Sequence, residues 1–210
     1  MKRELDRLAR HYETLARRHG ASAAANQWRD LETQERRFAV LADIAPDIVT
    51  ASVLDFGCGT GALYGFLKDK LGFTGTYCGV DISATSIEVA RQTWPEACFE
   101  RANLLADDRV GKFDYVLISG VFNNRLHEDW PCMSYLQEVL QAVWPLARKG
   151  LAFNAMSTYV DYQDENLCYF SPEEIFAFCK TRLSAKVLLR HDYQIKDGVI
   201  PFEFAMYVYR

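Results

Sequence analysis

The stretch Ser52–Ala62, "SVLDFGCGTGA", runs from a short apolar segment directly into closely spaced glycines. An apolar strand followed by a glycine-rich turn and a helix is typical of α/β proteins that bind a nucleotide at the end of the strand. The spacing Gly57-x-Gly59-x-x-Ala62 fits the fingerprint of a turn that binds a pyrophosphate. Asp55, however, lies two residues before the first glycine, where its carboxylate would repel a phosphate. The stretch therefore predicts a nucleotide site and raises the question of whether its ligand carries a phosphate.

Short apolar segments alternate with helical segments from residue 46 to the end of the chain. Strands are predicted at 53–56, 75–80, 97–100, 113–118, 151–154, 186–190 and 202–209, with helices at 61–70, 84–93, 132–147 and 172–181. This alternation predicts an α/β, Rossmann-like domain over 46–210, with a seven-stranded sheet and helices on both faces. No helical segment separates the last two strands, so we expect an antiparallel terminal hairpin at the sheet edge.

Residues 1–45 form a separate segment, in which apolar residues recur at helical spacing. Helices are predicted over 2–19, ended by Gly20, and over 30–44, ended by Pro46. This N-terminal helical extension is the largest element outside the α/β domain. We expect it to be either a lid over the ligand edge of the sheet or a flank packed beside it.

Composition and charge exclude several classes of protein. The 210 residues are 50% hydrophobic with a net charge of −4, which argues against a dedicated nucleic-acid-binding protein. No apolar run approaches the roughly 20 residues of a membrane span, and the N-terminus lacks the apolar core of a secretion signal. Six cysteines without a CxxC pair indicate small apolar side chains in a reducing compartment, and no metal site. We therefore expect a cytoplasmic protein without membrane or nucleic-acid partners; the oligomeric state is not predicted.

Two carboxylates decide what the nucleotide site binds. Asp55 and Asp81 each end a predicted strand, so both lie at the edge where an open α/β sheet binds its ligand. Asp81 can accept hydrogen bonds from ribose hydroxyls, whereas Asp55 would repel a phosphate and attract an ammonium group. The ligand is therefore expected to combine adenosine with a cation and to lack phosphate. S-adenosylmethionine meets this description.

Five segments occur in an order and at a spacing that carry a family resemblance: "VLDFGCGTG", "GVDIS", "RANLL", "FDYVLISGVFN" and "LARKGLAFN". With them, about residues 50 to 210 resemble the class I S-adenosylmethionine-dependent methyltransferases. The segments "QWRDLETQERRF" and "RHDY" are similar to those of small bacterial members without an assigned substrate. The resemblance implies an enzyme that uses S-adenosylmethionine and releases S-adenosylhomocysteine.

The resemblance also implies a set of cofactor contacts. The methionine moiety would be held by Asp55, Gly57, Cys58 and Gly59, and the ribose by Asp81. The adenine would contact Ile82, Asn103 and Leu104. The floor near the transferred methyl group would be lined by Ser119, Gly120 and Phe122. For Cys58 we expect the backbone to matter, and Asn103 could equally form a turn. If residues 1–45 are a lid, Trp28, Gln34 and Arg37 could close over the cofactor, with Arg37 available to bind its carboxylate.

The acceptor is constrained only by exclusion. The fourth segment reads "SGVF", unlike the Asn/Asp-Pro-Pro-aromatic run of adenine- and cytosine-N4-methylating enzymes, and no Pro-Cys pair follows for pyrimidine C5 chemistry. We therefore expect methyl transfer to an oxygen or nitrogen atom of a small molecule. A protein or RNA acceptor is the alternative within this class. An NAD-binding oxidoreductase or a non-catalytic nucleotide-binding module is the alternative outside it.

Candidate acceptor-side residues follow three strands. Asn123, Asn154 and Tyr159 are the predicted substrate-binding residues, and His191, Asp192 and Tyr193 the predicted catalytic residues. Because neighbours on an extended strand point to opposite faces, either His191 with Tyr193 or Asp192 alone should face the site. Anchoring of the terminal hairpin by hydrogen bonds is the alternative for all three.

Overall fold

The computed structural model describes residues 2–19, 31–106 and 110–210. Its helices are α1 (Lys2–His19), α2 (Leu31–Ala42), α3 (Ala62–Leu71), α4 (Ala84–Thr93), α5 (Cys132–Val143) and α6 (Pro172–Arg182). Its strands are β1 (Ser52–Phe56), β2 (Thr76–Asp81), β3 (Cys98–Arg101), β4 (Phe113–Ile118), β5 (Ala147–Met156), β6 (Lys186–Arg190) and β7 (Glu203–Tyr209).

The strands of the described residues form one seven-stranded sheet in the order β3-β2-β1-β4-β5-β7-β6. Strands β1 to β5 pair in parallel, whereas β7 is antiparallel to both β5 and β6. Strands β2 and β3 are added on one side of β1, and β4 is added on the other side. The carboxyl ends of β1, β2 and β4 therefore meet at one edge. The predicted Rossmann-like fold with an antiparallel terminal hairpin is confirmed.

Each face of the sheet carries its own apolar core. Phe38, Leu67 and Ile87 of α2, α3 and α4 belong to one core. On the opposite face, the core includes Leu136 of α5 and Ile175 of α6. Because consecutive side chains of a strand point to opposite faces, the central strands contribute to both cores and are almost fully buried. The helices therefore cover both faces, as predicted.

Two boundaries differ from the sequence prediction for identifiable reasons. Strand β5 begins at Ala147 instead of 151, because its exposed start contains Arg148 and Lys149 and does not look apolar. Helix α5 ends at Val143 instead of 147, and Trp144–Leu146 continue as one turn of 3-10 helix. Pro145 has no backbone N–H to donate to the preceding turn, which ends the α-helix.

Cys132 at the start of α5 and Cys168 before α6 form a disulfide. The expectation of small apolar side chains in a reducing compartment does not hold for this pair, which the fold brings together across 36 positions of sequence. Of the four free cysteines, Cys58, Cys78 and Cys179 are buried, as expected of small apolar side chains, and Cys98 is exposed. Within the described residues, no helix has the length and apolarity needed to cross a membrane.

Candidate active site

A cavity opens where β1, β2 and β4 end, and the predicted cofactor residues surround most of it. Those that line it are Asp55, Gly57, Cys58, Gly59, Asp81, Ile82, Asn103, Leu104, Ser119 and Gly120. The described residues of its lining include no Lys, Arg or His. Two carboxylates therefore face this cavity without a basic side chain beside them.

The glycine turn after β1 gives the cavity a wall made of backbone. The N–H groups of Gly57 and Cys58 both donate to the carbonyl oxygen of Val80 in β2, at 2.8 and 3.0 Å. Gly57 has a φ of 74°, and a Cβ atom there would lie 2.3 Å from the side chain of Val121. Glycine is required at this position both by its conformation and by this close approach. The turn thus brings the ends of β1, β2 and β4 together.

Asp55 is a buried carboxylate at this junction, only 2% exposed. Its Oδ2 accepts a hydrogen bond from the hydroxyl group of Tyr77, at 2.6 Å. Burial raises the pKa of Asp55 to about 7; the hydrogen bond from Tyr77 opposes this change, and the charge of Asp81 adds to it. A cation in the cavity would favour the ionised form of Asp55, whereas an anion would be repelled by it.

Asp81 ends β2 and organises the neighbouring backbone. Its Oδ2 accepts from the N–H of Gly59 at 2.9 Å, and its Oδ1 from the N–H of Ser83 at 2.8 Å. Burial raises the pKa of Asp81, and these backbone hydrogen bonds oppose the change. Since an ionised carboxylate has about four lone-pair positions, it can still accept hydrogen bonds from a ligand.

Part of the cavity lining is apolar. It includes Ile82, Leu104 and Leu105, together with Tyr135 of α5. The side chain of Asn103 also lines the cavity, and its Oδ1 accepts from the N–H of Leu105 at 3.1 Å. Asn103 therefore forms the turn that was the alternative to ligand binding, and its position at the cavity leaves both roles compatible.

The N-terminal helices cover this cavity. Leu8 of α1, with Gln34 and Phe38 of α2, lines it. Oε2 of Glu4 in α1 lies 2.7 Å from Nε2 of His127 in the loop after β4, which is a hydrogen-bond distance. The positions of Leu8, Phe38 and Tyr135 at the cavity were not predicted from the sequence, because no local pattern shows which helix covers a distant turn.

The three lid residues predicted from the sequence have different outcomes. Gln34 lines the cavity. Trp28 lies outside the described residues. Arg37 is buried, and its Nε donates to Oε2 of Glu203 in β7 at 2.8 Å. Because the Arg37 guanidinium is paired with Glu203 and does not line the cavity, its expected contact with a cofactor carboxylate is not supported.

Two further residues lie elsewhere than expected. Phe122 packs in the core against Tyr135 and Phe153, and its neighbour Val121 lines the cavity in its place. Asn154 is buried and faces Glu203 and the backbone of Gly120. These contacts make Phe122 and Asn154 supports of the cavity wall, which corrects their expected positions.

The predicted catalytic group lies outside the cavity lining. His191 Nε2 is 3.1 Å from the carbonyl oxygen of Pro201, Asp192 is exposed and pairs with Arg190, and Tyr193 is buried with its hydroxyl group 3.5 Å from Glu203. The expected alternation fails because the chain leaves its strand at Arg190. These contacts correspond to the alternative of hairpin anchoring.

The predicted substrate-binding residues Asn123 and Tyr159 are also separated. Tyr159 is exposed, with its ring near that of His191 and its hydroxyl group bonded to Glu173. Asn123 is buried, and its Oδ1 has no hydrogen-bond partner among the described residues. The Oγ of Ser119, which lines the cavity, is likewise without one. Ser119 therefore has an oxygen at the cavity that could bond a ligand, whereas Asn123, with a similar oxygen, lies outside the cavity lining.

A cysteine pair near the β3 edge of the sheet offers atoms of the kind that bind metal ions. Cys78 and Cys98 face each other on β2 and β3, with their sulfur atoms 3.1 Å apart, and Glu100 lies close by. Sequence analysis missed this group because 20 positions separate the two cysteines. None of these three residues lines the cavity, so the group lies apart from the candidate active site.

Comparisons with known proteins agree with the fold. The profile of a family described as methyltransferase domain matches residues 53–145. The "Putative methyltransferase Rv1506c" of Mycobacterium tuberculosis is 32% identical over 153 residues, which are 71% of this chain and 90% of that protein. An uncharacterised Rickettsia prowazekii protein is 30% identical over 133 residues, 58% of this chain and 48% of that protein, so the match spans about half of its length.

A solved structure extends the comparison. Magnesium protoporphyrin IX methyltransferase from Synechocystis, crystallised with bound SAM, superposes with a TM-score of 0.63 at 16% identity and covers 95% of this chain and 97% of that one. At this identity the likeness concerns the fold alone, whereas the mycobacterial relative establishes the family. The chain belongs to the class I S-adenosylmethionine-dependent methyltransferases.

Proposed function

We propose that this protein transfers a methyl group from S-adenosylmethionine to an oxygen or nitrogen atom of a small molecule. One observation carries the proposal: Asp55 and Asp81 face a cavity whose described lining has no basic residue. A pyrophosphate would be repelled by this charge, while an adenosine that carries an ammonium and a sulfonium group would be attracted. The cavity thus favours S-adenosylmethionine over NAD.

The residues present fit the parts of this cofactor. In this proposal Asp55 accepts hydrogen bonds from the ammonium group and Asp81 from the ribose hydroxyls, which is supported by the position of both carboxylates in the cavity lining. Ile82 and Leu104 offer apolar surface to the adenine ring, and the glycine turn allows the methionine moiety to approach the backbone. These assignments rest on position and chemistry, and each can be tested by substitution.

The bound cofactor supplies an activated methyl group on its sulfonium sulfur. The protein must therefore align an acceptor and exclude water. Leu8 and Phe38 cover the cavity with apolar surface, and Ser119 and Val121 form part of its wall after β4. On the acceptor side, we assign the unpartnered oxygen of Ser119 to a hydrogen bond with the acceptor. His191, Asp192 and Tyr193 anchor the hairpin in this proposal.

Residues 1–45 complete the proposal as a lid. Leu8, Gln34 and Phe38 place both N-terminal helices at the cavity, and the contact between Glu4 and His127 joins α1 to the loop after β4. Cofactor exchange through this side requires the helices to move. The α/β domain over 46–210 supplies the remaining walls.

A small-molecule acceptor is supported by two observations. The net charge of −4 is unfavourable for RNA, and the Synechocystis fold neighbour is named for a small molecule, magnesium protoporphyrin IX. The acceptor can be identified by incubating the enzyme and a cofactor labelled in its methyl group with separate pools of small molecules, proteins or RNA. Label in protein or RNA alone would replace this part of the proposal.

Thermal unfolding with different ligands tests the cofactor. A ligand that binds only the native state raises the melting temperature. We expect S-adenosylmethionine and S-adenosylhomocysteine to raise it, and NAD and NADP to leave it unchanged. Stabilisation by NAD alone would contradict the proposal and favour an oxidoreductase.

A further inference from the structure

A buried polar chain connects helix α2 to the cavity wall. Arg37 donates to Oε2 of Glu203 at 2.8 Å, and Asn154 Nδ2 donates to Oε1 of the same carboxylate at 2.7 Å. Asn154 Oδ1 in turn accepts from the N–H of Gly120 at 2.9 Å. Arg37, Asn154 and Glu203 are all at least nine-tenths buried, and Gly120 lines the cavity.

We propose that Glu203 is a positioning residue, which acts through Asn154 on the backbone of Gly120 and through Arg37 on helix α2. Glu203 and Arg37 lie outside the cavity lining, so neither contacts the cofactor in this arrangement. The consequence for cofactor binding rests on the proposed function, whereas the consequence for Gly120 does not.

The carboxylate of Glu203 fixes which end of the Asn154 amide faces Gly120. A carboxylate has two acceptor oxygens: Oε2 of Glu203 accepts from Arg37, and Oε1 accepts from Asn154 at 2.7 Å and from the more distant hydroxyl group of Tyr193 at 3.5 Å. Because the NH₂ group of Asn154 is held by Glu203, its oxygen must point to the N–H of Gly120. Gly120 has a φ of 70°, a conformation that this hydrogen bond helps to hold.

The same carboxylate fixes the cover of the cavity. Arg37 lies one turn after Gln34 and next to Phe38, and both of these neighbours line the cavity from α2. The pair of Arg37 with Glu203 therefore ties the helix that carries these side chains to β7. Glu203 therefore contacts both Arg37, on the helix that covers the cavity, and Asn154, which supports the cavity wall.

Substitution of Glu203 by the isosteric Gln gives a specific test. Gln has one acceptor oxygen for the donors of Arg37, Asn154 and Tyr193, and the charged Arg37 competes for it most strongly. The NH₂ group of Gln then faces Asn154, whose amide must turn its own NH₂ group towards the N–H of Gly120. In Glu203→Gln we expect hydrogen exchange at the Gly120 amide to become at least tenfold faster relative to the Phe153 amide in β5. The same relative change is expected in Asn154→Ala.

A rescue variant separates positioning from general destabilisation. In the double variant Arg37→Met with Glu203→Gln, no cation competes for the Gln oxygen, which can again accept from Asn154. Slow exchange at Gly120 should return towards the wild-type rate. The control is Tyr207→Phe, which removes a buried hydrogen bond between β7 and Val40 of α2 without involving Asn154 or Gly120. It should leave the ratio of the Gly120 and Phe153 rates unchanged.

Calorimetry with S-adenosylhomocysteine completes the experiment. We expect about fivefold weaker binding in Asn154→Ala and Glu203→Gln, and wild-type affinity in Tyr207→Phe. Unchanged relative exchange at Gly120 in both variants, or an equal change in Tyr207→Phe, would overturn the inference. If wild-type protein does not bind this ligand, the proposed function is contradicted, while exchange at Gly120 still decides the positioning role.

Discussion

Asp55→Asn should stabilise the ligand-free protein and weaken its binding of cofactor. The carboxylate is 2% exposed, and burial raises its pKa from 3.8 to about 7. Below about pH 3.8 the side chain is neutral in the folded and unfolded chains alike. As the pH rises the unfolded chain releases its proton first, so the stability present at low pH is lost progressively until native Asp55 ionises near pH 7.

The magnitude follows from the displacement of the pKa. One pKa unit corresponds to about 1.4 kcal/mol, so a change from 3.8 to about 7 corresponds to about 4 kcal/mol. Asn does not ionise, and its amide oxygen can keep the hydrogen bond from Tyr77. The variant should therefore exceed wild type in unfolding free energy by about 2 kcal/mol at pH 5 and about 4 kcal/mol at pH 8.

Urea unfolding between pH 5 and pH 8 measures this difference. Asp69→Asn, an exposed position on α3, is the control and should follow the wild-type curve. In parallel, as the pH is raised towards 7, wild-type affinity for S-adenosylhomocysteine should increase about tenfold per pH unit, because the ammonium group of the ligand requires ionised Asp55. The variant should bind about 10- to 100-fold more weakly at pH 7.5 and show no such increase. Parallel stability curves of wild type and Asp55→Asn would refute the reasoning.

Three further predictions concern the cavity. Asp81→Ala should weaken binding of S-adenosylhomocysteine about 10- to 100-fold while the fold survives, and unchanged affinity in calorimetry would remove Asp81 from the site. Gly57→Ala should lower the unfolding free energy by at least about 1–2 kcal/mol in urea, because φ is 74° and the new Cβ meets Val121; wild-type stability would contradict the close approach. If residues 1–45 form a lid, hydrogen exchange in 2–19 and 31–42 should slow when this ligand binds, whereas protection limited to the glycine turn and β2 would make them a static flank.

Local patterns were sufficient to predict the centre of the site. Asp55, Gly57 and Asp81 all lie where a strand meets its turn, and parallel strands bring such turns to one edge. The fold class could be predicted for the same reason, because strand and helix periodicities repeat along the chain. In these cases the sequence neighbourhood of a residue already determines the direction in which it points.

Phe122 shows where this reasoning fails. Alternation along β4 suggests which side chains face each side of the sheet, but it ends with the strand at Ile118. Gly120, with a φ of 70°, then reorients the chain, so Val121 lines the cavity and Phe122 enters the core. His191 follows the end of β6 in the same way. The orientation of residues just beyond a strand depends on turn geometry, which periodicity does not describe.

Contacts between distant segments form a second limit. Arg37 and Glu203 are separated by 166 positions. Taken alone, each charged side chain would be expected to be exposed to solvent. Their pairing depends on how α2 packs over the first residue of β7, which no local pattern shows. The same is true of Leu8, whose helical spacing predicts an apolar face but not the cavity that this face covers.

Burial has opposite consequences for stability and for ligand selection at Asp55. A solvated carboxylate at this position would ionise readily and cost the folded protein little, but water would weaken its attraction to an ammonium group. The buried carboxylate is less stable in its ionised form, since Asp81 and the apolar surroundings disfavour the charge. A bound cation relieves part of this unfavourable free energy, so selectivity for a positively charged ligand and the instability of the ligand-free site have the same physical origin. The wild-type protein should therefore gain more stability from its cofactor at pH 8 than at pH 5, where much less of Asp55 is ionised.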